Sequence, residues 1–510
     1  MSTLLSVPAI WRTEKTVAVS GHTRHRYKPS PISSGFKAPA ANATLVFGPS
    51  ALAASIARTS TLRDAPPEML ARWGDSALTQ VEWLVEDGAT FALSQHIQAL
   101  ADAERTSFAG RVGAGVTDLL MNALGFTWRD NASCLSRSLA PHADFIYADG
   151  AVSGHGVVLT EAHGSFAASV SSAGVTREAK RKYLRQVRPH LAAASPHGKV
   201  IHGYSIAFGS RPGAEGAFLH VAETLISKPR GPRRPLGQTV PPPRPEAAPT
   251  SLALAAHRSN FAIMDAPGIV RWIDWVRGGG ERPDESEPSL FVRVPYAGRV
   301  FLCSMEMGWP FGTYPEWLDE FWHPRWWPPV LRARGVPRGK DDFAGWFAME
   351  EKAAAGFLNA LSAIIRNGRD NLPESLELPS LDPAGFGFGD DAVDLRSPAS
   401  EYRYALYRDE LALLGSPPPR RMACVNLRRF STLAMKRGRR SCWEQALRFH
   451  RACRWPTRAS SALRGAIMLS ASAERPCPSR SRRLNGWHGW ASSRGSSAIQ
   501  RSYLRTSRPP

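Results

Sequence analysis

Two acids stand near the ends of the stretch DFIYADGAVSGHGVVLTEAH, residues 144–163, and they are the first chemical feature of the chain. Asp144 heads the apolar run Phe145, Ile146 and Tyr147. Glu161 follows Val157, Val158, Leu159 and Thr160, and the turn formers Asp149, Gly150, Gly154, His155 and Gly156 lie between. Two apolar runs of strand length around glycine-containing turns read as a hairpin. Such a hairpin carries two carboxylates on paired strands. Glu161 follows residues that read as a buried strand, and a buried acid needs a partner or a metal ion to offset its desolvation. The plainer alternative is that one acid caps a turn and the other is a solvated charge on a strand edge.

The remaining polar groups nearby converge less. Seven of the fourteen histidines (His142, His155, His163, His190, His197, His202 and His220) fall between 142 and 220. None pairs with another at the helical spacing of a zinc site, and they read as scattered polar and packing residues. The glycine-rich segment 209–216 is not followed by the Gly-Lys-Ser/Thr of a phosphate loop and reads as a plain loop. Asp390, Asp391 and Asp394 read as a turn and cap cluster.

Helices must flank the hairpin. Residues 111–124 place Val112, Val116, Leu119, Leu120 and Ala123 at helical spacing, with Gly125 as the stop. After the hairpin, 177–194 reads as a basic amphipathic helix with Tyr183, Leu184, Val187 and Leu191 on its apolar stripe. Pro189 interrupts it, at about 3 kcal/mol if unrelieved, and kinks or ends it early. Lys180, Arg181, Lys182 and Arg185 with Gln186 form a basic face, which is either solvated or touches phosphates. Strands follow at 199–208 and 217–223. Upstream, 66–104 reads as helices at 68–73, 77–85 and 92–104, and 1–60 as a mostly disordered lead-in with a short strand near 43–47.

Taken together these residues resemble the PD-(D/E)xK nuclease superfamily, the restriction-endonuclease-like fold, over about 105–225. The resemblance rests on the helix opening at Phe108 to Gly113 and closing at Leu124 to Trp128, on Asp144, on Val157 to Gly164 around Glu161, and on the basic helix with Gln186. It implies an α/β fold with a restriction-endonuclease-like central mixed sheet flanked by helices. By the same resemblance Asp144 and Glu161 are the ligands of Mg²⁺ or Mn²⁺, held against a scissile phosphate. The residue two places after the Glu, on the same strand face, is normally Lys. Here it is His163, mostly neutral at pH 7, which would position or deprotonate water. Gln186 would support the site, while Ala114 stands where many relatives carry a Glu. The expected function is a metal-dependent phosphodiesterase acting on DNA. The competing expectation is a non-catalytic binding or structural protein that kept the fold, the product of a decayed gene, with Ala114 and His163 as marks of the decay.

Composition then sets the wider organisation. The 510 residues are enough for two to three domains: a 65–226 unit carrying the site, a Pro/Arg-rich linker at 228–250, and a less regular α+β second domain at 251–417. In that second unit, helix patterns appear at 252–256, 269–276, 352–366 and 402–414, and strand patterns at 290–294 and 300–304. Five tryptophans crowd into 308–329 and read as a small aromatic core rather than a stacking platform for bases. The net charge is +20, but 421–510 alone holds 20 Lys and Arg against 2 Asp and Glu, so the body is nearly neutral. That basic, low-complexity tail reads either as a nucleic-acid-binding segment or as out-of-frame translation. Two cysteines in the body, no secretory leader and no apolar run of spanning length point to a cytoplasmic chain without a membrane segment.

Overall fold

The computed structural model describes residues 13–27, 43–62, 84–135, 141–148, 156–214, 216–226, 247–284, 289–304, 346–389, 404–414 and 423–427, with 39, 65–66, 69–70 and 81. In chain order it begins with β1 (Lys15–Tyr27), β2 (Thr44–Phe47), α1 (Pro49–Ser60), α2 (Asp102–Ala123), β3 (Arg129–Asn131), β4 (Phe145–Ala148) and β5 (Gly156–Ser165). There follow α3 (Ser172–Lys182), β6 (Ala194–Ser195), β7 (Gly198–Ser210) and β8 (Ala217–Ile226). These strands hydrogen-bond in the order β2-β1-β8-β7-β5-β4-β3, with β6 on β7. The sheet is mixed: β5 runs parallel to β7 and β1 to β8, while the other pairs are antiparallel.

The two helices beside the hairpin take opposite faces of this sheet. α2 meets β5 backbone to backbone. A Cβ on Gly164 would sit 1.7 Å from Ala109 O, and one on Gly113 2.5 Å from Gly164 N, so both positions exclude any side chain. On the other face, Val187 fills the space over Gly203 while Val170 and Val175 fill that over Gly209. Gly203 and Gly209 pair with Leu159 and Ser165, so the face beneath α3 is the one that carries Glu161 and His163.

α3 keeps its regular form only to Lys182. A π-helical turn, Tyr183–Val187, and a 3₁₀ turn, Arg188–His190, complete it, with the Arg188 amide reaching back to Tyr183 O. Pro189 explains the change. Its nitrogen donates nothing and its ring crowds the carbonyl four residues back, so the ladder changes pitch instead of continuing.

The chain continues through β9 (Ala247–Pro249), α4 (Thr250–Ile263), α5 (Pro267–Val276), β10 (Ser289–Tyr296), β11 (Arg299–Ser304), β12 (Trp346–Glu350) and α6 (Glu351–Asn367). It closes with β13 (Ser375–Glu377), β14 (Phe386–Phe388), β15 (Tyr404–Leu406), β16 (Leu411–Leu414) and β17 (Ala423–Leu427). A second, antiparallel sheet has the order β15-β16-β12-β11-β10-β17, and β13 pairs with β9. β14 returns to the first sheet beside β2 and makes it nine-stranded. One hydrophobic core runs from Val17 through Phe145 and Ile269 to Leu413, so residues 251–417 share the core of 65–226. The fold is thus mixed α/β, a central mixed sheet flanked by helices with further antiparallel sheets.

Three sequence expectations are corrected. Within the lead-in expected to be mostly disordered, the described residues form β1 and α1, besides β2 where the short strand near 43–47 was expected. β1 alternates exposed Ser20, His22, Arg24 and Arg26 with more buried residues, and buried Lys15 donates from Nζ to the carbonyls of Glu86 (2.5 Å), Gly88 (2.7 Å) and Thr90 (3.2 Å). α1 is buried all round from Ala51 to Thr59, so it shows no polar face for periodicity to reveal. Where a helix was expected over 402–414, the described residues form β15 and β16, because each short strand finds an antiparallel neighbour that the local sequence does not announce. The helix expected over 92–104 is a single 3₁₀ turn, Gln95–Ala99, and α2 starts at Asp102. Within the tail expected from 421, β17 pairs with β10. Most of the helix expected at 77–85, the linker to 246, the tryptophan-rich 308–329, Asp390, Asp391, Asp394 and the tail beyond 427 lie outside the described residues.

Four charges, all 0 % exposed, tie the distant parts of the core together. Arg58 of α1 donates from Nε to Asp118 Oδ2 of α2 (2.9 Å) and from Nη1 to Asp409 Oδ1 (2.5 Å), in the turn between β15 and β16. Arg129 of β3 reaches Asp409 Oδ2 at 2.8 Å, and Asn260 of α4 donates to the same oxygen at 3.1 Å. Burial alone would raise the Asp409 carboxyl, but Arg58 and Arg129 outweigh it and bring it down to about 2.

Candidate active site

The hairpin register fixes the carboxylate pair. Phe145 pairs with Thr160 and Ile146 with Leu159, and one further step sets Asp144 opposite Glu161. Asp144 is held by its own backbone, whose carbonyl accepts from the Ala132 amide at 3.0 Å, and by the Ala162 amide, which donates to its Oδ2 at 2.9 Å. Glu161 is 1 % exposed. From α3, Lys182 Nζ donates to Glu161 Oε1 at 2.7 Å, while Oε2 is buried with no hydrogen-bond partner among the described residues. Beside it in the sheet stands Ser205 of β7, whose buried Oγ is likewise unpartnered.

Burial first, and the neighbouring Asp144 second, push the Glu161 carboxyl up to about 8, against the opposing pull of Lys182. Two acids and one ammonium therefore leave this spot short of positive charge. His163 shares the face of Glu161 but sits further along the strand, with Nδ1 4.0 Å from Glu178 Oε1 of α3. Burial lowers its pKa and keeps the imidazole neutral. Glu178 is held below the usual carboxylate range by its hydrogen bonds from Arg181.

Gln186, expected to support the site, bonds to the backbone beside it. On the π turn, its Nε2 donates to His142 O at 3.0 Å, and His190 Nε2 donates to Pro141 O at 3.1 Å. These bonds fasten the end of the helix to the segment that leads into Asp144. Asp144, Glu161 and Lys182 thus come together, His163 stands at their edge, and Gln186 acts through the backbone. The sequence reading placed Lys182 only on a general basic face. A strand with His163 where the resembled motif carries lysine, followed by a helix that packs on the same face, is the signal that would have singled it out.

The chain's own residues fit a divalent ion. Mg²⁺ commonly takes one or two carboxylates and completes its shell with water and phosphate oxygens. Asp144 and Glu161, with the spare buried Oε2, match that donor set. Among the described residues no group of three or more His, Cys, Asp or Glu side chains is arranged around a metal position, so further oxygens would come from water or substrate. No helix among the described residues is long and apolar enough to cross a membrane. No protein-family model matches the chain, and neither curated proteins nor solved structures yield a match.

Proposed function

We propose that the chain is a metal-dependent phosphodiesterase acting on DNA, with Asp144 and Glu161 holding Mg²⁺ or Mn²⁺ and Lys182 as the cation beside them. The observation that carries this reading is the meeting of two carboxylates and Lys182 at one buried spot with an acceptor oxygen to spare. The succession α2, β3, β4, β5, α3, β7, with β7 parallel to β5, supports it further. When bound, the metal ion would polarise a phosphoryl oxygen and acidify a water molecule. Lys182 Nζ, bonded to Glu161 Oε1 at 2.7 Å, would lie beside the phosphoryl group as negative charge builds on it, and preorganised positive charge there lowers the barrier. Neutral His163, through the ring nitrogen turned away from Glu178, would accept the proton of the attacking water. Lys180, Arg181, Arg185 and Arg188 are exposed along α3 and its extension and would contact backbone phosphates.

A second reading draws on the Lys182 to Glu161 bond itself, which half neutralises the acids without any metal ion. On that reading the chain is a non-catalytic binding or structural protein with a nuclease-like fold. The test is incubation of the full chain with supercoiled plasmid and with single-stranded DNA in Mg²⁺ or Mn²⁺, beside Asp144→Ala and Glu161→Ala. Metal-dependent cleavage that both substitutions abolish supports the enzyme. A folded chain that cleaves neither DNA in either metal decides for the second reading.

A further inference from the structure

A second constellation lies apart from the carboxylate pair and belongs to no motif read from the sequence. His197, in the turn between β6 and β7, is 8 % exposed and engages both ring nitrogens. Its Nδ1 lies 2.9 Å from Ser251 Oγ in the first turn of α4, and its Nε2 lies 3.2 Å from Asp130 Oδ2 on β3. With Nε2–H donated to the carboxylate, Nδ1 is left to accept the serine proton. A hydroxyl bonded to an imidazole that a carboxylate orients is the arrangement that activates a serine nucleophile, and it is recognised by geometry rather than by sequence order.

The supports are in place around all three residues. The His197 amide donates to Ser195 Oγ at 3.2 Å, which fixes the turn. Asp130 Oδ1 accepts from the Asn131 amide at 2.7 Å, and Arg277 Nη2 approaches Oδ2 at 3.4 Å, so the carboxylate cannot swing away from the imidazole. Ser251 is half-buried. The Thr250 amide is taken by Glu374 O at 3.1 Å. The amides that follow it belong to the helix turn that lacks intrahelical acceptors.

We infer that Ser251, His197 and Asp130 form a nucleophilic centre for carboxylic esters, independent of the carboxylate pair and of any metal ion. Ser251 Oγ attacks the carbonyl carbon as its proton passes to His197 Nδ1. The tetrahedral adduct collapses when His197 returns that proton to the departing alkoxide, which releases an alcohol and leaves the acyl group on Ser251. Water, giving a proton to the same nitrogen, then attacks the acyl carbon, and Ser251 leaves reprotonated as the acid is freed. Ser251 and His197 touch the reacting atoms, and Asp130 is a positioning residue that holds the tautomer.

The test uses the full chain with a fluorophosphonate probe and with p-nitrophenyl acetate. Peptide mass spectrometry of the wild type is expected to find the phosphonyl adduct on Ser251. Ester turnover is expected to fall to background in Ser251→Ala and in His197→Ala, and on the order of 10³-fold or more in Asp130→Asn, which retains the shape but loses the correct tautomer. A wild-type chain that carries no adduct at Ser251, or a Ser251→Ala variant that turns over the ester at an unchanged rate, overturns the inference. The hydroxyl would then be a structural hydrogen-bond donor only.

Discussion

Glu161 keeps one oxygen on Lys182 and leaves the other buried without a donor, and the chemistry proposed for the site follows from that imbalance. Lys182 is 21 residues beyond Glu161 and on a different element, so spacing along the strand points to His163 as the third member of the site while the fold supplies Lys182. Replacing Lys182 by Ala is expected to cut metal-dependent DNA cleavage roughly 10²- to 10³-fold, the usual effect of losing one preorganised charge beside the reacting group. His163→Lys is also expected to lower the rate, because the ammonium is already present from the helix and the neutral imidazole that would accept the proton of the attacking water is lost. Cleavage rates of the two variants side by side check the assignment, and activity that appears only in His163→Lys contradicts it.

At the scale of elements, the hairpin, β7, β8 and α2 were legible because each carries its own signal. Val157, Val158 and Leu159 form a continuous apolar run bounded by turns, and Val112, Val116 and Leu119 recur at helical spacing. β1 and α1 were not legible. Arg24 and Arg26 read as basic low complexity until β8 is seen alongside, and Ala51, Ala53, Ala54 and Ala57 read as filler until every side of α1 is found to be covered. For the same reason the exclusion of side chains at Gly113 and Gly164 could be seen only once α2 lay on β5. Adding a methyl group at Gly164 forces it into the Ala109 carbonyl, and Gly164→Ala is expected to lower stability by about 1–3 kcal/mol. Urea unfolding of the variant measures this, and an unchanged midpoint would show that α2 and β5 do not meet so closely.

Over the whole molecule, the Arg58, Asp118, Arg129 and Asp409 cluster joins the first third of the chain to the β15–β16 turn. Removing Asp409 leaves two buried guanidiniums, Arg58 and Arg129, to share Asp118 alone, so Asp409→Ala is expected to cost about 3–5 kcal/mol in the same unfolding experiment. Glu410, the next residue, has both carboxylate oxygens buried and unpartnered among the described residues, and burial, followed by Asp409 and Glu350, pushes its carboxyl up to about 9. In the folded chain it stays protonated while in the unfolded chain it ionises in the ordinary carboxylate range, so raising the pH favours unfolding. Its contribution is whole below the unfolded pKa and is lost as the pH climbs to about 9. The melting temperature of the wild type should therefore fall more steeply than that of Glu410→Gln between about pH 5 and pH 9.

The central claim, that Asp144 and Glu161 with Lys182 form a divalent-metal site, is tested most directly by calorimetric titration of the full chain with Mn²⁺. The account predicts saturable binding at one site in the wild type that is lost in Glu161→Ala and in Asp144→Ala while both variants stay folded. Equal Mn²⁺ binding in the wild type and in both variants would contradict it.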